Sequence, residues 1–146
     1  MKTYISLFSS AGIGCYGFKM EGFECIATNE LIERRLGIQK ANRKCKYPTG
    51  YICGDITKDE TKRQLYDEID FWKRKEKIKR VDVVIATPPC QGMSFNSVGK
   101  RLDEIRKGKA PKDDPRNRLI IPTINLVKRL KPQWRILFSW RRSGAD

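Results

Sequence analysis

The stretch best suited to reactivity rather than packing is Pro88-Pro89-Cys90-Gln91, followed by Gly92, Met93 and Ser94. Two prolines stiffen the exit from an apolar run and hold a thiol at its tip, where nearby N–H groups and cations would lower its pKa and make it a nucleophile. A buried structural thiol is the competing reading. Two carboxylates also end apolar runs. Glu30 stands where an acidic side chain can accept both ribose hydroxyls of an adenosine moiety, although a helix-start carboxylate is equally ordinary there. Asp55 could accept an adenine amino proton or simply shape a turn. Gly12, Gly14 and Gly17 spell Gly-x-Gly-x-x-Gly after the first apolar run, a spacing that lets backbone approach a ligand but also recurs in plain turns.

Composition narrows the chemistry. The chain contains no histidine, so imidazole bases and most zinc sites are excluded, and no metal is expected. Its five cysteines, Cys15, Cys25, Cys45, Cys53 and Cys90, form no Cys-x-x-Cys pair, and burial is the expectation for all but Cys90. Lys and Arg number 31 against 17 Asp and Glu, a formal charge of +14. Residues 1–60 carry 9 basic and 7 acidic side chains and residues 61–146 carry 22 and 10, so the second half should seek a polyanion, nucleic acid being the commonest. With no apolar run near the ~20 residues of a membrane helix and no signal-peptide core, a soluble cytoplasmic protein is expected.

These residues need a scaffold, and the sequence alternates strands with helices. Residues 4–8 read as a strand, 24–28 as a second, 51–53 as a third, 81–86 as a fourth and 136–138 as a fifth. Leu31, Ile32, Leu36 and Ala41 suggest a helix running to Cys45. Thr57 and Glu60 have capping-box spacing for another, on which Leu65, Ile69 and Trp72 share a face. Residues 119–130 read as a last helix, with Pro122 tolerable near its start. Residues 96–118 are polar and rich in glycine and proline, the composition of a long loop. Such alternation gives an α/β domain with an open, mostly parallel, doubly wound sheet. Ligands bind such sheets beyond the strands' carboxyl ends, where Gly12, Glu30, Asp55 and Cys90 all fall.

With those residues in view, the chain resembles the N-terminal part of the C5-cytosine DNA methyltransferase family. Phe8-Ser9-Ser10-Ala11-Gly12-Ile13-Gly14 is similar to its cofactor loop, Asn29-Glu30 with Leu31 to its ribose-binding pair, Asp55-Ile56 to its adenine-side turn, and Pro88-Pro89-Cys90-Gln91 to its catalytic loop. The segment from Asp114 to Leu119 resembles the family's opening of the following helix. The resemblance covers residues 4–134. It implies a Rossmann-like methyltransferase fold, S-adenosyl-L-methionine as cofactor with Pro88 among the residues that bind it, DNA as substrate, and Cys90 as the nucleophile that adds to C6 of a flipped cytosine. It further implies DNA contacts for Pro89, Gln91, Ser94, Lys100, Arg101 and Arg116.

After the fifth strand the family continues with Glu-Asn-Val, whereas this chain reads Ile136-Leu137-Phe138-Ser139-Trp140-Arg141-Arg142. The family's target-recognition domain is likewise missing from these 146 residues. The expectation is therefore a partial catalytic domain over 1–146, a sheet incomplete at its C-terminus, and either dependence on a complementary C-terminal chain or a non-catalytic remnant that binds cofactor and DNA. A nicotinamide-dependent oxidoreductase is a further alternative, which leaves Cys90 and the basic loop unexplained. DNA association should be nonspecific and salt-sensitive. Fluorescence anisotropy on a short duplex and its scrambled control should give equal affinities that fall steeply as salt rises.

Overall fold

The structure, a computed structural model, describes residues 1–89, 104, 106–108 and 115–137. Among these residues five strands form one sheet: β1 (Lys2–Leu7), β2 (Phe23–Glu30), β3 (Tyr51–Cys53), β4 (Val83–Ala86) and β5 (Trp134–Leu137). Every pairing is parallel and the order is β3-β2-β1-β4-β5. The chain steps outward from β1 through β2 to β3, then returns to the other side of β1 for β4. The order thus reverses between β1 and β4, the position where neighbouring loops part and open a crevice.

Helices α1 (Tyr16–Met20), α2 (Glu33–Ala41), α3 (Asp59–Lys75) and α4 (Ile120–Leu130) join these strands. Strands covered on both faces need apolar residues on both, and the alternation in β1 and β4 sorts them into two cores. Ile5, Leu7, Val84 and Ala86 pack in one core with Ile26, with Leu65, Ile69 and Trp72 of α3, and with Leu126 and Val127 of α4. Tyr4, Cys25, Val83 and Ile85 pack in the other with Cys15 and, on α1, Phe18. The expected open parallel α/β sheet, clothed on both faces, is therefore present. Asp82 aligns its start: the carboxylate accepts the Thr3 N–H at 2.7 Å and the Thr3 hydroxyl at 3.1 Å, tying the approach to β4 to β1.

Several local expectations are corrected. Strand β2 extends through Asn29 and Glu30, so both are strand residues rather than its closing turn. Helix α2 begins at Glu33 and stops at Ala41, short of Cys45, because Asn42 turns back to cap Ile38 and Arg43 adopts a left-handed φ of 48°. Leu31 and Ile32 precede the helix and are exposed instead of contributing to its core face. The capping box does not form: the helix starts one residue after Lys58 with no side-chain cap, because Asp55 holds the Thr57 hydroxyl. β4 starts at Val83 rather than residue 81, and β5 at Trp134 rather than 136. Residues 115–119, placed mostly in the long loop, form a 3₁₀ turn that leads directly into α4. Cys15, Cys25 and Cys45 are buried as expected, but Cys53 is exposed. It ends a three-residue outer strand whose Ile52 takes the core side.

The charge is distributed along the strand axis. Lys73, Arg74 and Lys75 close the last turn of α3, where cations complement the helix dipole, and the chain then passes Arg80 to enter β4. This is the amino edge of the sheet, and there the Arg80 guanidinium donates to Gln133 at 2.7 Å. Among the described residues no helix is long and apolar enough to cross a membrane.

Trp72 is fully buried and donates its indole N–H to the buried Glu68 carboxylate at 3.0 Å. Trp72→Phe retains most of the packing but strands that carboxylate. Urea denaturation should show a loss of about 1–3 kcal/mol, the usual cost of orphaning a buried polar group.

Candidate functional site

A cavity of about 590 Å³ opens at the carboxyl edge of the sheet, within the size range of small-molecule sites. Each strand end around the order reversal contributes to it. Phe8 and Ser10 follow β1, Asn29 and Glu30 end β2, Asp55 and Ile56 follow β3, and Thr87 and Pro89 follow β4. Arg116 and Leu119 reach it from the turn before α4.

The loop after β1 is bent sharply. Phe8 and Ser10 both have positive φ, 54° and 49°, a conformation uncommon for residues with a side chain and costing about 1–3 kcal/mol each when sustained. Hydrogen bonds hold it there. The Ser9 N–H and hydroxyl both donate to the Asn29 carbonyl at 3.1 Å, and the Thr87 hydroxyl donates to the Phe8 carbonyl at 2.9 Å. The Ser10 N–H donates to Glu30 Oε2 at 2.8 Å. Gly12 follows at φ 86°, a conformation that favours glycine, and a Cβ there would lie 3.0 Å from Gln39 Cγ, so a side chain would push on Gln39. Gly14 and Gly17 face open space, so packing does not require them to be glycine.

Glu30 is the central charge. Its side chain is only 6% exposed, and besides Ser10 it accepts the Ile32 N–H at 3.2 Å and the Arg35 guanidinium at 3.3 Å, both on Oε1. Among the described residues Oε2 accepts one hydrogen bond, which leaves acceptor capacity on a carboxylate that lines the cavity. Asn29 reaches sideways: its amide donates to the carbonyls of Ile52 at 3.2 Å and Gly54 at 3.0 Å, fixing the turn that carries Asp55. Asp55 Oδ1 accepts the Thr57 N–H at 2.9 Å and the Thr57 hydroxyl at 2.8 Å. These bonds, chiefly the backbone N–H, hold its carboxyl below the usual carboxylate range.

The structure sorts the residues singled out by sequence. Phe8, Ser10, Asn29, Glu30, Leu31, Asp55 and Ile56 share the cavity, joined by Pro89 and Arg116, which the resemblance assigned to DNA. Ser9 is buried behind the loop. Ala11, Gly12 and Ile13 instead line a second cavity of about 430 Å³ with Tyr16 and Lys44, and Gly14 and Pro88 line neither. Cys90, Gln91, Ser94, Lys100 and Arg101 lie outside the described residues. Sequence reading missed Ile32, Arg35, Thr57, Thr87 and Leu119 in the cleft. It also missed Gln39, whose signal was available: a glutamine three residues after Leu36, on the face of α2 that should be apolar.

A doubly wound parallel sheet with an acidic, apolar-walled cleft at its order reversal defines an α/β protein of the Rossmann-like class. The sequence matches the C-5 cytosine-specific DNA methylase family over residues 2–137, and the chain belongs to that family. It is 36% identical over 131 residues to the Type II methyltransferase M1.HgaI of Avibacterium volantium, covering 89% of this chain and 32% of that protein. It is 33% identical over 135 residues to M1.HphI of Haemophilus parahaemolyticus, covering 92% and 31%. The chain thus spans about a third of the length of these curated relatives. A solved structure described as a DNA modification methyltransferase encoded within an E.coli prophage shares the fold, with a TM-score of 0.61 and 21% identity over 94% of this chain and 31% of that one.

Because Asp55 is depressed in the folded state, its contribution to stability is complete above the ordinary carboxylate value of about 4 and is lost as pH falls through the lower folded value. The stability difference between wild type and Asp55→Asn should therefore be constant near neutrality and shrink on acidification below about pH 4. Denaturant titrations across that range measure it.

Proposed function

We propose that this chain is the cofactor-binding and catalytic-loop portion of a DNA cytosine-5 methyltransferase, with S-adenosyl-L-methionine in the cleft at the carboxyl edge and a cytosine in DNA as methyl acceptor. The observation that carries this reading is the nearly buried Glu30 carboxylate, set in the switch-point cavity beside Phe8 and Asp55 in a chain of this family.

The residues fit an adenosine-bearing cofactor. Glu30 Oε2 has room for a hydroxyl donor, as a ribose diol requires, and Phe8, Leu31, Ile32, Ile56 and Leu119 offer apolar surface for a flat base. Asp55 stays ionised at neutral pH and can accept an amino proton. When bound, S-adenosyl-L-methionine supplies the electrophilic methyl group that C5 takes. Cytosine C5 is too weak a nucleophile alone. The Cys90 thiolate adds to C6 and makes C5 enamine-like; loss of the C5 proton to a base and elimination of the thiolate then restore the ring and free enzyme. The base must leave the duplex for Cys90 to reach C6. Pro89, Gln91 and Ser94 border the flipped base, and Lys100, Arg101 and Arg116 engage phosphates. Pro89 lines the cleft and precedes Cys90 in the sequence, which supports the reading of Cys90 as the nucleophile.

Calorimetry with S-adenosylhomocysteine should give micromolar or tighter binding, weakened at least ~10-fold by Glu30→Ala, which removes a charged acceptor. Tight binding of a nicotinamide dinucleotide instead would overturn the reading. For chemistry, a duplex carrying 5-fluorocytosine should form a covalent adduct once a complementary C-terminal fragment and cofactor are present, and Cys90→Ser should abolish it.

A further inference from the structure

Gln39 lies on α2, only 1% exposed, and does not line the cofactor cleft. Its amide is nonetheless fully engaged. Nε2 donates to Ser9 Oγ at 2.8 Å and to the Ser10 carbonyl at 2.6 Å, while Oε1 accepts the Thr28 hydroxyl at 2.7 Å. The orientation of that amide is fixed by the Ser10 carbonyl, which can only accept, so Nε2 must face it. The Lys44 ammonium has only protons to give, and it donates to Thr28 Oγ1 at 3.1 Å. Thr28 Oγ1 accepts from Lys44 and gives its own proton to Gln39 Oε1, and both amide N–H groups face the loop. A flipped amide would place its oxygen against the Ser10 carbonyl and its nitrogen against the Thr28 proton.

Ser10 is consequently gripped from both sides. Gln39 holds its carbonyl and Glu30 holds its N–H, with the residue in the left-handed region between them. Freed from Gln39, a serine relaxes toward negative φ, and the loop that re-forms around it no longer fixes its N–H against Glu30 Oε2. We propose that Gln39 is a positioning residue for cofactor binding: through Ser10 it holds the Glu30 carboxylate at the angle that receives the ribose hydroxyls. Only an amide offers two donors and one acceptor in one plane, which is the set this junction consumes. Gly12 belongs to the same device, since the approach of the Gln39 and Lys44 stems to within 3.0 and 3.3 Å of its missing Cβ is what lets the amide reach the loop.

The inference rests on the cofactor reading above, and its test separates the two. Calorimetry compares S-adenosylhomocysteine with its 2′,3′-dideoxy analogue on wild type, Gln39→Met, Ser9→Ala and Glu30→Ala, each checked for folding by circular dichroism. Gln39→Met should weaken S-adenosylhomocysteine ~10-fold or more, the scale of one charge-assisted hydrogen bond, while leaving the dideoxy analogue within about 3-fold of wild type. Ser9→Ala, a smaller change that leaves Gln39 in place, should shift the same ratio in the same direction. In the double variant Gln39→Met/Glu30→Ala the loss should not exceed that of Glu30→Ala alone, because the two act on one contact. Equal weakening of both ligands, by Gln39→Met or, if that variant does not fold, by Ser9→Ala, would show a merely structural role and overturn the proposal. Additive losses would do the same. No binding of either ligand to wild type would instead defeat the cofactor reading itself.

Discussion

The bond from the Ser10 N–H to Glu30 Oε2 joins the carboxyl ends of β1 and β2, and the arrangement of the cleft follows from it. A carboxylate this shielded from water is tolerable only where donors surround it, and Ser10, Ile32 and Arg35 supply them. The Ser10 donor is available only because the loop doubles back at Phe8 and Ser10, and the loop stays doubled back because Asn29, Gln39 and Thr87 hold its polar groups. The strain is local and its supports come from three different elements.

A second chain of contacts carries the same order outward. Asn29 neighbours Glu30 in β2, so the strand that presents the carboxylate also ties down the turn at Gly54. The Gly54 N–H in turn donates to the Glu30 carbonyl at 3.0 Å. Asp55 is thereby set beside Glu30 rather than left on a free loop. The parallel sheet makes this economical in structure: strand ends lie side by side, and one residue of each can face a common cavity.

Much of the fold was legible from sequence because buried parallel strands read as short apolar runs bounded by turns. Residues 51–53 coincide with β3, and Leu65, Ile69 and Trp72 do share the buried face of α3. The boundaries failed where one residue type serves two purposes. Leu31 and Ile32 continue an apolar pattern into α2, yet they stand before the helix and border the cleft. Thr57 has the spacing of a helix cap but bonds to Asp55 two residues earlier, a local turn that competes with capping. Glu30 and Asp55 could be placed because each ends a strand. Gln39 stands out only as a polar residue on a helix face that should be apolar; its role could not be read, since its partners Ser9 and Ser10 lie about thirty positions upstream and meet it only through the parallel pairing of β1 and β2. The Gly-x-Gly-x-x-Gly match was the least informative sign, because only its first glycine has a positive φ and close neighbours that favour glycine.

The basic turn at the end of α3 bears on how the molecule is felt by a polyanion. Residues 73–80 hold six of the Lys and Arg side chains, and they lie at the edge where strands begin, whereas the cleft lies where strands end. A strand of six residues separates those edges by about 20 Å, roughly two and a half times the Debye length of about 8 Å at physiological ionic strength. At the mouth of the cleft those six charges are almost entirely masked by mobile ions. A formal charge of +14 therefore overstates the attraction the cleft exerts on an approaching phosphate backbone. The rear of the molecule carries a separate cationic field, directed away from the cleft.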